Sequence, residues 1–540
     1  MGLFCSNFAL RLLTLLPSFY FTAAYGRGKP FADNYGIRVN THTHYDPNIG
    51  VATSDDTTYT VDITLGGQNF TVLLDTGSTD LWVNSKGLEL ALTNTTDLSM
   101  TELYGRGEVH GTLQFAELKV GEYVVPSQAF VNATQVLDFN VAVDGIMGMA
   151  FDVSFIFAGI SSAWGRDSAS TLGRSFITNL FAENSSLPNN FDVSLGREDA
   201  VEDGSGTFII SGHAPSFVNV TEAPQLPRIG TDRWTFAVDE MRVNGESVPF
   251  NKSSVAAAPD GKLVALLDTG FSFPPLPRAA VDAIYNTIPG SVFSVANNAY
   301  YVPCNSTTMV SFYLGGQEFP VHPLDLTFPF VGTVPSKGGV ETSVTLCLGT
   351  YQPITLDPTA FAGFDLALGD AFLRNVYASF DYGDFNPWTE TQGTPFVQMV
   401  PTTDSRTAVA EFFDERGATL AGLPPTIDPA EYFRLWAAAA STSATSDSEP
   451  EDIAVSGALS ADDDDGSSPP GWNRTFRTAV LALLAANLAV GLALLGVTVT
   501  MCVRAKKGRS VGSRYVPVRF KDSEATGHDA EYRARRYGSD

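Results

Sequence analysis

From Tyr59 the chain alternates apolar and polar residues, Tyr-Thr-Val-Asp-Ile-Thr-Leu, and then meets Gly66-Gly67, the pattern of a strand entering a hairpin. Short units of this kind continue to about Pro401 and predict one long β-rich body. Two later pieces, 408–415 and 429–440, fit a helical period instead and belong to an extension over 402–440. The Ser/Thr/Asp/Ala-rich run at 441–471 has almost no large apolar residues and cannot build a core, so 441–478 reads as a stalk. It leads to 479–503, 25 residues without a charge and with only Asn487 strongly polar. As a helix this stretch is about 37 Å long against a hydrocarbon core of ~30 Å, which predicts a transmembrane helix. At the other end, residues 1–24 combine an apolar run (Phe8, Ala9, Leu10, Leu12, Leu13, Leu15, Leu16) with small residues Thr22, Ala23 and Ala24, as in a cleaved signal peptide. Arg11 is the only early cation, so a retained N-terminal anchor stays open. Residues 25–56 lack periodicity and read as a leader or short pro-segment.

At 540 residues the chain exceeds one compact core, and its 48 Gly, 31 Pro and many Thr, Val and Phe favour short strands joined by tight turns. An all-β class is expected. The net charge of −26 is unevenly placed: residues 504–540 hold ten Lys/Arg against five Asp/Glu. With that tail and Arg11 set aside, 22 basic face 54 acidic residues, a body that repels nucleic acid and suits work at low pH. Arg504, Lys506, Lys507 and Arg509 directly follow the apolar stretch, whereas the Asp run at 462–465 precedes it. The positive-inside rule therefore makes 504–540 a cytoplasmic tail and the chain a single-pass type I membrane protein of the secretory pathway, at the cell surface or in the vacuole or endosome. Its length and polarity argue against a lipid-anchor signal. Glycosylation sequons at Asn69, Asn94, Asn132, Asn184, Asn219, Asn251, Asn305 and Asn473 all precede the predicted span. Cys5 leaves with the signal and Cys502 sits at the membrane edge, so Cys304 and Cys347 remain as the pair an oxidising compartment could join.

An internal repeat carries the chemistry. Leu73-Leu74-Asp75-Thr76-Gly77-Ser78 recurs 193 residues later as Leu266-Leu267-Asp268-Thr269-Gly270-Phe271. Each copy is followed by an apolar-Gly element, Asp144-Gly145-Ile146-Met147-Gly148 and Leu366-Ala367-Leu368-Gly369-Asp370, which implies two similar lobes over 57–225 and 226–401. One Asp-Thr-Gly alone is an ordinary turn. Two brought together would be a dyad, because carboxylates about 3 Å apart cannot both ionise and share one proton. The ionised member takes a proton from water while the protonated one donates to a peptide carbonyl, hydrolysing the bond without metal, cofactor or covalent intermediate. Other constellations fail: His42, His44, His110, His213 and His322 form no metal-ligand set, and neither a phosphate-cradling loop nor a supported Ser/His pair is found.

Across 57–401 these residues resemble the pepsin-like aspartic protease family, especially fungal secreted and membrane-anchored members. Asp75-Thr76-Gly77-Ser78-Thr79-Asp80-Leu81-Trp82-Val83 is similar to the family's first active-site motif at every characteristic position. The resemblance implies a bilobal all-β fold with the cleft between lobes, an aspartic endopeptidase acting on protein or peptide substrates as a monomer, and Asp75 and Asp268 as the catalytic pair. Thr76, Gly77, Ser78, Thr269 and Gly270 would support it. Tyr104-Gly105-Arg106-Gly107 resembles the flap that closes over substrate, whose tyrosine in the family hydrogen-bonds a tryptophan matching Trp82. Cys304 and Cys347 sit where the family has its second-lobe disulfide, and 368–374 with Phe380-Asp381 resemble the closing strands of that lobe. Three positions depart from the pattern. Phe271 replaces a Ser or Thr whose hydroxyl serves the neighbouring carboxylate, which should raise the dyad's proton affinity or, on a rival reading, leave a peptide-binding or adhesion protein without turnover. Arg106 at the flap tip should disfavour Lys or Arg beside the scissile bond. The leader, with only Arg27, Lys29 and Arg38, lacks a long basic pro-segment.

Overall fold

The computed structural model describes residues 49–443 apart from 55, 106, 140–142, 198–205, 336–340, 356–361, 384 and 387–390. The expected signal peptide, most of the leader, Arg106, the stalk from 444 on with Asn473, the membrane span and the tail therefore lie outside the described residues, while 441–443 belong to a helix. Among those described, no helix is long and apolar enough to cross a membrane.

The alternation that opens the β body folds as its period requires. In the strand Thr58–Leu65, Tyr59, Val61, Ile63 and Leu65 point into the core, while Thr60, Asp62 and Thr64 face outward. The chain turns at Gly66-Gly67, both with positive φ, and returns as Gln68–Asp75, whose last four residues are all buried. This hairpin belongs to an eight-stranded sheet ordered Ala52–Ser54, Thr58–Leu65, Gln68–Asp75, Gly145–Gly148, Leu81–Val83, Tyr123–Leu137, Glu108–Val120, Leu92–Leu103.

The internal repeat is structural. The strand Gln68–Asp75 pairs in parallel with Gly145–Gly148, Asp75 opposite Gly148. In the second half Leu263–Leu267 pairs in parallel with Leu366–Leu368, Leu267 opposite Leu368. Gly369 follows directly, and a Cβ there would stand 2.0 Å from the carbonyl oxygen of Phe271, so only glycine lets the two segments approach.

One expectation needs correction here. The body is mostly β and not all-β: helices Phe155–Trp164, Phe176–Glu183 and Arg278–Tyr285 pack on it. The first two start at Ser154 and Ser175, whose hydroxyls accept from Phe157 N and Thr178 N, a capping signal the strand periodicity had masked. The strand Val376–Asp381, which holds the Phe380-Asp381 pair, has a neighbour that the sequence reading did not name. It lies between Asn190–Ser194 of the first half and Phe396–Pro401 of the second, in a five-stranded sheet shared by both. Pairing across so long a separation leaves no local trace in either strand.

That shared sheet buries Asp192 completely. Its carboxylate accepts Tyr377 Oη at 2.6 Å and Asn190 Nδ2 at 3.0 Å and meets His213 Nδ1 at 2.7 Å. The hydrogen bond to Asp192, partly opposed by burial, holds the His213 imidazolium above its ordinary pKa of 6.5. A raised folded pKa means that the pair's contribution is complete below about pH 6.5 and disappears as pH rises through the folded value. Thermal melts of His213→Gln should accordingly fall furthest below wild type in acid and converge with it in mild alkali; a gap independent of pH would contradict this.

The extension is part of the folded body. Helix Ala408–Ala421 buries Phe412 and Arg416, and Arg416 Nη2 donates to the carbonyls of Thr327 (2.9 Å) and Leu324 (3.3 Å). The link to helix Pro429–Ser443 runs along the strand Glu341–Gly349, with Thr345 N donating to Pro425 O and Ile427 N to Thr345 O.

Candidate active site

Each Asp-Thr-Gly loop leaves the end of a buried strand, and the two loops interlock. Thr76 N donates to Thr269 Oγ1 (3.0 Å) and Thr269 N to Thr76 Oγ1 (3.1 Å). Each hydroxyl in turn donates across to the opposite strand, Thr76 to Leu267 O (2.9 Å) and Thr269 to Leu74 O (2.5 Å). Four hydrogen bonds between buried groups fix both loops in one geometry.

This brings Asp75 and Asp268, each 5% exposed, together at the Gly270 backbone, where a Cβ would lie 2.6 Å from Asp75 Oδ1 and 3.0 Å from Asp268 Oδ1. Gly77 N donates to Asp75 Oδ1 (2.9 Å) and Gly270 N to Asp268 Oδ1 (2.7 Å). A Cβ on Gly77 would lie 1.9 Å from Asp268 Oδ2, and one on Gly270 2.6 Å from Asp75 Oδ1, so side chains at either position would push the carboxyls apart. Burial, and after it the charge of Asp75, raises Asp268 well above the usual carboxylate range. The two sides differ. Ser78 Oγ donates to Asp75 Oδ2 at 2.5 Å, whereas Phe271, at the matching position, packs against an apolar cluster of Val264, Leu266, Phe364 and Ala367. Nearby Asp370 is buried with no partner for Oδ1 among the described residues. Burial chiefly, opposed by Arg374 and reinforced by Asp268 and Asp75, keeps it well above the normal range.

The segment expected to form the flap is a hairpin of Leu92–Leu103 and Glu108–Val120, closed by Tyr104 N donating to Gly107 O (3.1 Å), with Gly107 at φ 89°. Gly105 is exposed at the turn. The expected link from Tyr104 to Trp82 is not formed. Tyr104 Oη donates instead to Glu102 Oε2 at 2.8 Å, and buried Trp82 Nε1 has no partner among the described residues. The physical reason is local: Glu102 lies two residues back on the same strand face and offers a carboxyl acceptor, while Phe139 makes edge contacts with both rings, at 5.6 Å from Trp82 and 5.3 Å from Tyr104. Sequence reading passed over Glu102 and Phe139. Glu102 was detectable as the charged member of the inward series Met100, Glu102, Tyr104; Phe139 had no signal.

Cys304 and Cys347 are joined in a disulfide, next to the pairing of Val302 with Cys347. Of the described sequon asparagines, Asn69, Asn94, Asn184, Asn219, Asn251 and Asn305 are exposed, and Asn132 is half-buried in the strand Tyr123–Leu137. His110 meets Glu108 at 3.2 Å and His322 meets Glu411 at 3.3 Å.

Two parallel strand pairs thus end in interlocked Asp-Thr-Gly loops, the arrangement that the internal repeat of a pepsin-like chain calls for. The model of the eukaryotic aspartyl protease family matches residues 58–386, and the chain belongs to that family. It is similar to the aspartic-type endopeptidase ctsD of Aspergillus fumigatus, 26% identical over 388 residues, 67% of this chain and 71% of that one. Gastricsin of Mus musculus is 26% identical over 351 residues, covering 61% and 79% of the two chains. The probable vacuolar protease A of Arthroderma benhamiae is 27% identical over 336 residues, covering 58% and 73%. Among solved structures, an aspartic proteinase from Irpex lacteus matches 67% of this chain and 99% of its own with a TM-score of 0.48 and 18% identity. The protein is an aspartic-type endopeptidase, a hydrolase whose substrates are proteins or peptides.

Proposed function

We propose that this protease cleaves peptide bonds at acidic pH through a dyad in which Asp75 and Asp268 share one proton and activate a water molecule between them. The observation that supports this reading is the approach of two buried carboxyls to the same glycine backbone, held by the reciprocal Thr76 and Thr269 bonds. Ser78 supports Asp75, and Tyr104 closes the cleft over substrate. The catalytic body is lumenal or extracellular, anchored as a type I protein by 479–503; the exposed sequon asparagines and the disulfide support such a compartment. A fluorogenic peptide assay between about pH 3 and 7, with and without a statine-type inhibitor, tests the proposal. Cleavage that the inhibitor blocks is expected; cleavage that ignores it, or none by folded protein, would count against it.

One observation favours the rival of a peptide-binding protein without turnover: among the described residues Asp268 has no hydroxyl partner matching Ser78, because Phe271 stands there. Phe271→Thr separates the two. A new donor to ionised Asp268 lowers its pKa, so a working enzyme should shift its optimum downward by roughly one pH unit. Turnover that rises from near zero would instead identify Phe271 as a lesion.

A further inference from the structure

Within the flap strand Leu92–Leu103 is a carboxyl group for which the hydrolytic reaction has no use. Glu102 is 1% exposed; its Oε2 accepts the Tyr104 hydroxyl, and its Oε1 is buried with no partner among the described residues. Asp80 is also buried and is fixed by the backbone N–H groups of Phe155 (2.8 Å) and Ile156 (3.1 Å) at the start of their helix. No Lys or Arg among the described residues forms an ion pair with either. A carboxyl buried in a dry interior without a cation favours the neutral form. Burial first, then the charge of Asp80, sets Glu102 well above the usual carboxylate range against the Tyr104 hydrogen bond. Asp80 is pushed up to about 6 by burial, against hydrogen bonds from Ser154, Ile156 and Phe155, with Asp152 adding a small repulsion.

The other faces add little charge. Helix Phe155–Trp164 has no titratable residue. The adjoining strand places Val109 opposite Glu102, and its Glu108 and His110 pair with each other at the surface. Tyr123–Leu137 carries only Tyr123, far from the flap end. Asp75 acts on Tyr104, whose hydroxyl burial keeps well above its usual range.

We propose that Glu102 is a positioning residue for the flap: in its neutral form it holds the Tyr104 hydroxyl where the Trp82 indole would otherwise do so. Closure over a bound peptide thereby depends on a carboxyl outside the dyad. This rests on the reading of Tyr104 as the residue that closes the cleft. When Glu102 ionises, charge is stranded on a carboxyl whose Oε1 has no partner among the described residues, and the hairpin gives up the buried arrangement in which Glu102 holds Tyr104. A folded pKa raised above the unfolded value makes that penalty begin above the ordinary carboxylate range and grow with pH. Peptide binding should therefore weaken towards neutral pH through KM, independently of the dyad's control of kcat.

Steady-state kinetics and calorimetry with a statine-type inhibitor, across pH, on the whole chain test this. In wild type KM rises towards neutral pH. Glu102→Gln, whose amide oxygen accepts from Tyr104 but cannot ionise, should move that rise to higher pH or remove it. Glu102→Ala should raise KM roughly tenfold in acid with a smaller change in kcat. Should the alanine variant fail to fold, Tyr104→Phe decides: the altered KM profile of Glu102→Gln must vanish when the two substitutions are combined. A Glu102→Gln profile identical to wild type, or one that persists unchanged with Tyr104→Phe, overturns the proposal alone. Wild-type protein that neither cleaves the peptide nor binds the inhibitor overturns the dyad reading, and this one with it.

Discussion

Asp268→Asn is expected to lower kcat by about three orders of magnitude while the protein remains folded. Burial and the Asp75 charge raise Asp268 well above the usual carboxylate range, so in the proposed cycle it supplies the shared proton that the peptide carbonyl receives. The amide fills the same space and still accepts the Gly270 N–H, but it cannot give up a proton and recover it each turnover. Asp75→Asn should fail equally, for the complementary reason that no carboxylate is left to accept a proton from water. Stability separates this from a general defect. At neutral pH the native pair confines charge that water would solvate better, so the asparagine variants should melt at or above the wild-type temperature. Activity within tenfold of wild type in either variant would remove the dyad from the mechanism, and a large loss of melting temperature would make the activity loss uninformative about chemistry.

Much of this site was legible because its instructions are local and duplicated. Each Asp-Thr-Gly follows its own apolar strand and precedes its own apolar-Gly partner, so two short patterns were enough to anticipate two similar halves; that strand and partner pair in parallel in each half was not read from them. Features that depend on distant or unpatterned contacts were not legible. The helical period at 408–415 announces a helix, but nothing in it tells that Arg416 will reach the carbonyls of Leu324 and Thr327, 92 and 89 residues away. The flap motif names Tyr104 without naming its partner; a carboxyl two positions upstream displaced the expected indole, and the motif does not extend that far. Likewise the strand Val376–Asp381 reads as apolar from its sequence, yet apolarity does not reveal that Asn190–Ser194 will be its neighbour.

The largest expected loss of stability comes from Asp325→Ala. Asp325, 2% exposed, accepts Arg374 Nε at 2.5 Å and Asn375 Nδ2 at 2.9 Å, and it also pairs with Arg197 Nη2. Arg374 continues the network to Tyr59 Oη (3.2 Å) and Asp56 O (2.6 Å), tying the opening of the first half to the second. Removing the carboxylate strands the buried Arg374 guanidinium beside Arg197, which should cost about 3–5 kcal/mol in chemical denaturation at neutral pH. The pH dependence has a definite sign. Burial alone would raise the Asp325 pKa, but the charges of Arg197 and Arg374 outweigh it and hold the group below its ordinary 3.8. Its contribution is thus present above the unfolded carboxylate pKa, survives somewhat below it, and is lost only as pH falls through the depressed folded value. The difference between Asp325→Ala and wild type should stay nearly constant from neutral pH into the acidic range where the enzyme is proposed to work, and shrink only in stronger acid. A variant within about 1 kcal/mol of wild type at neutral pH would mean that solvent or a neighbouring carboxylate compensates both arginines, and that the two halves are held together chiefly by the shared sheet and the apolar core.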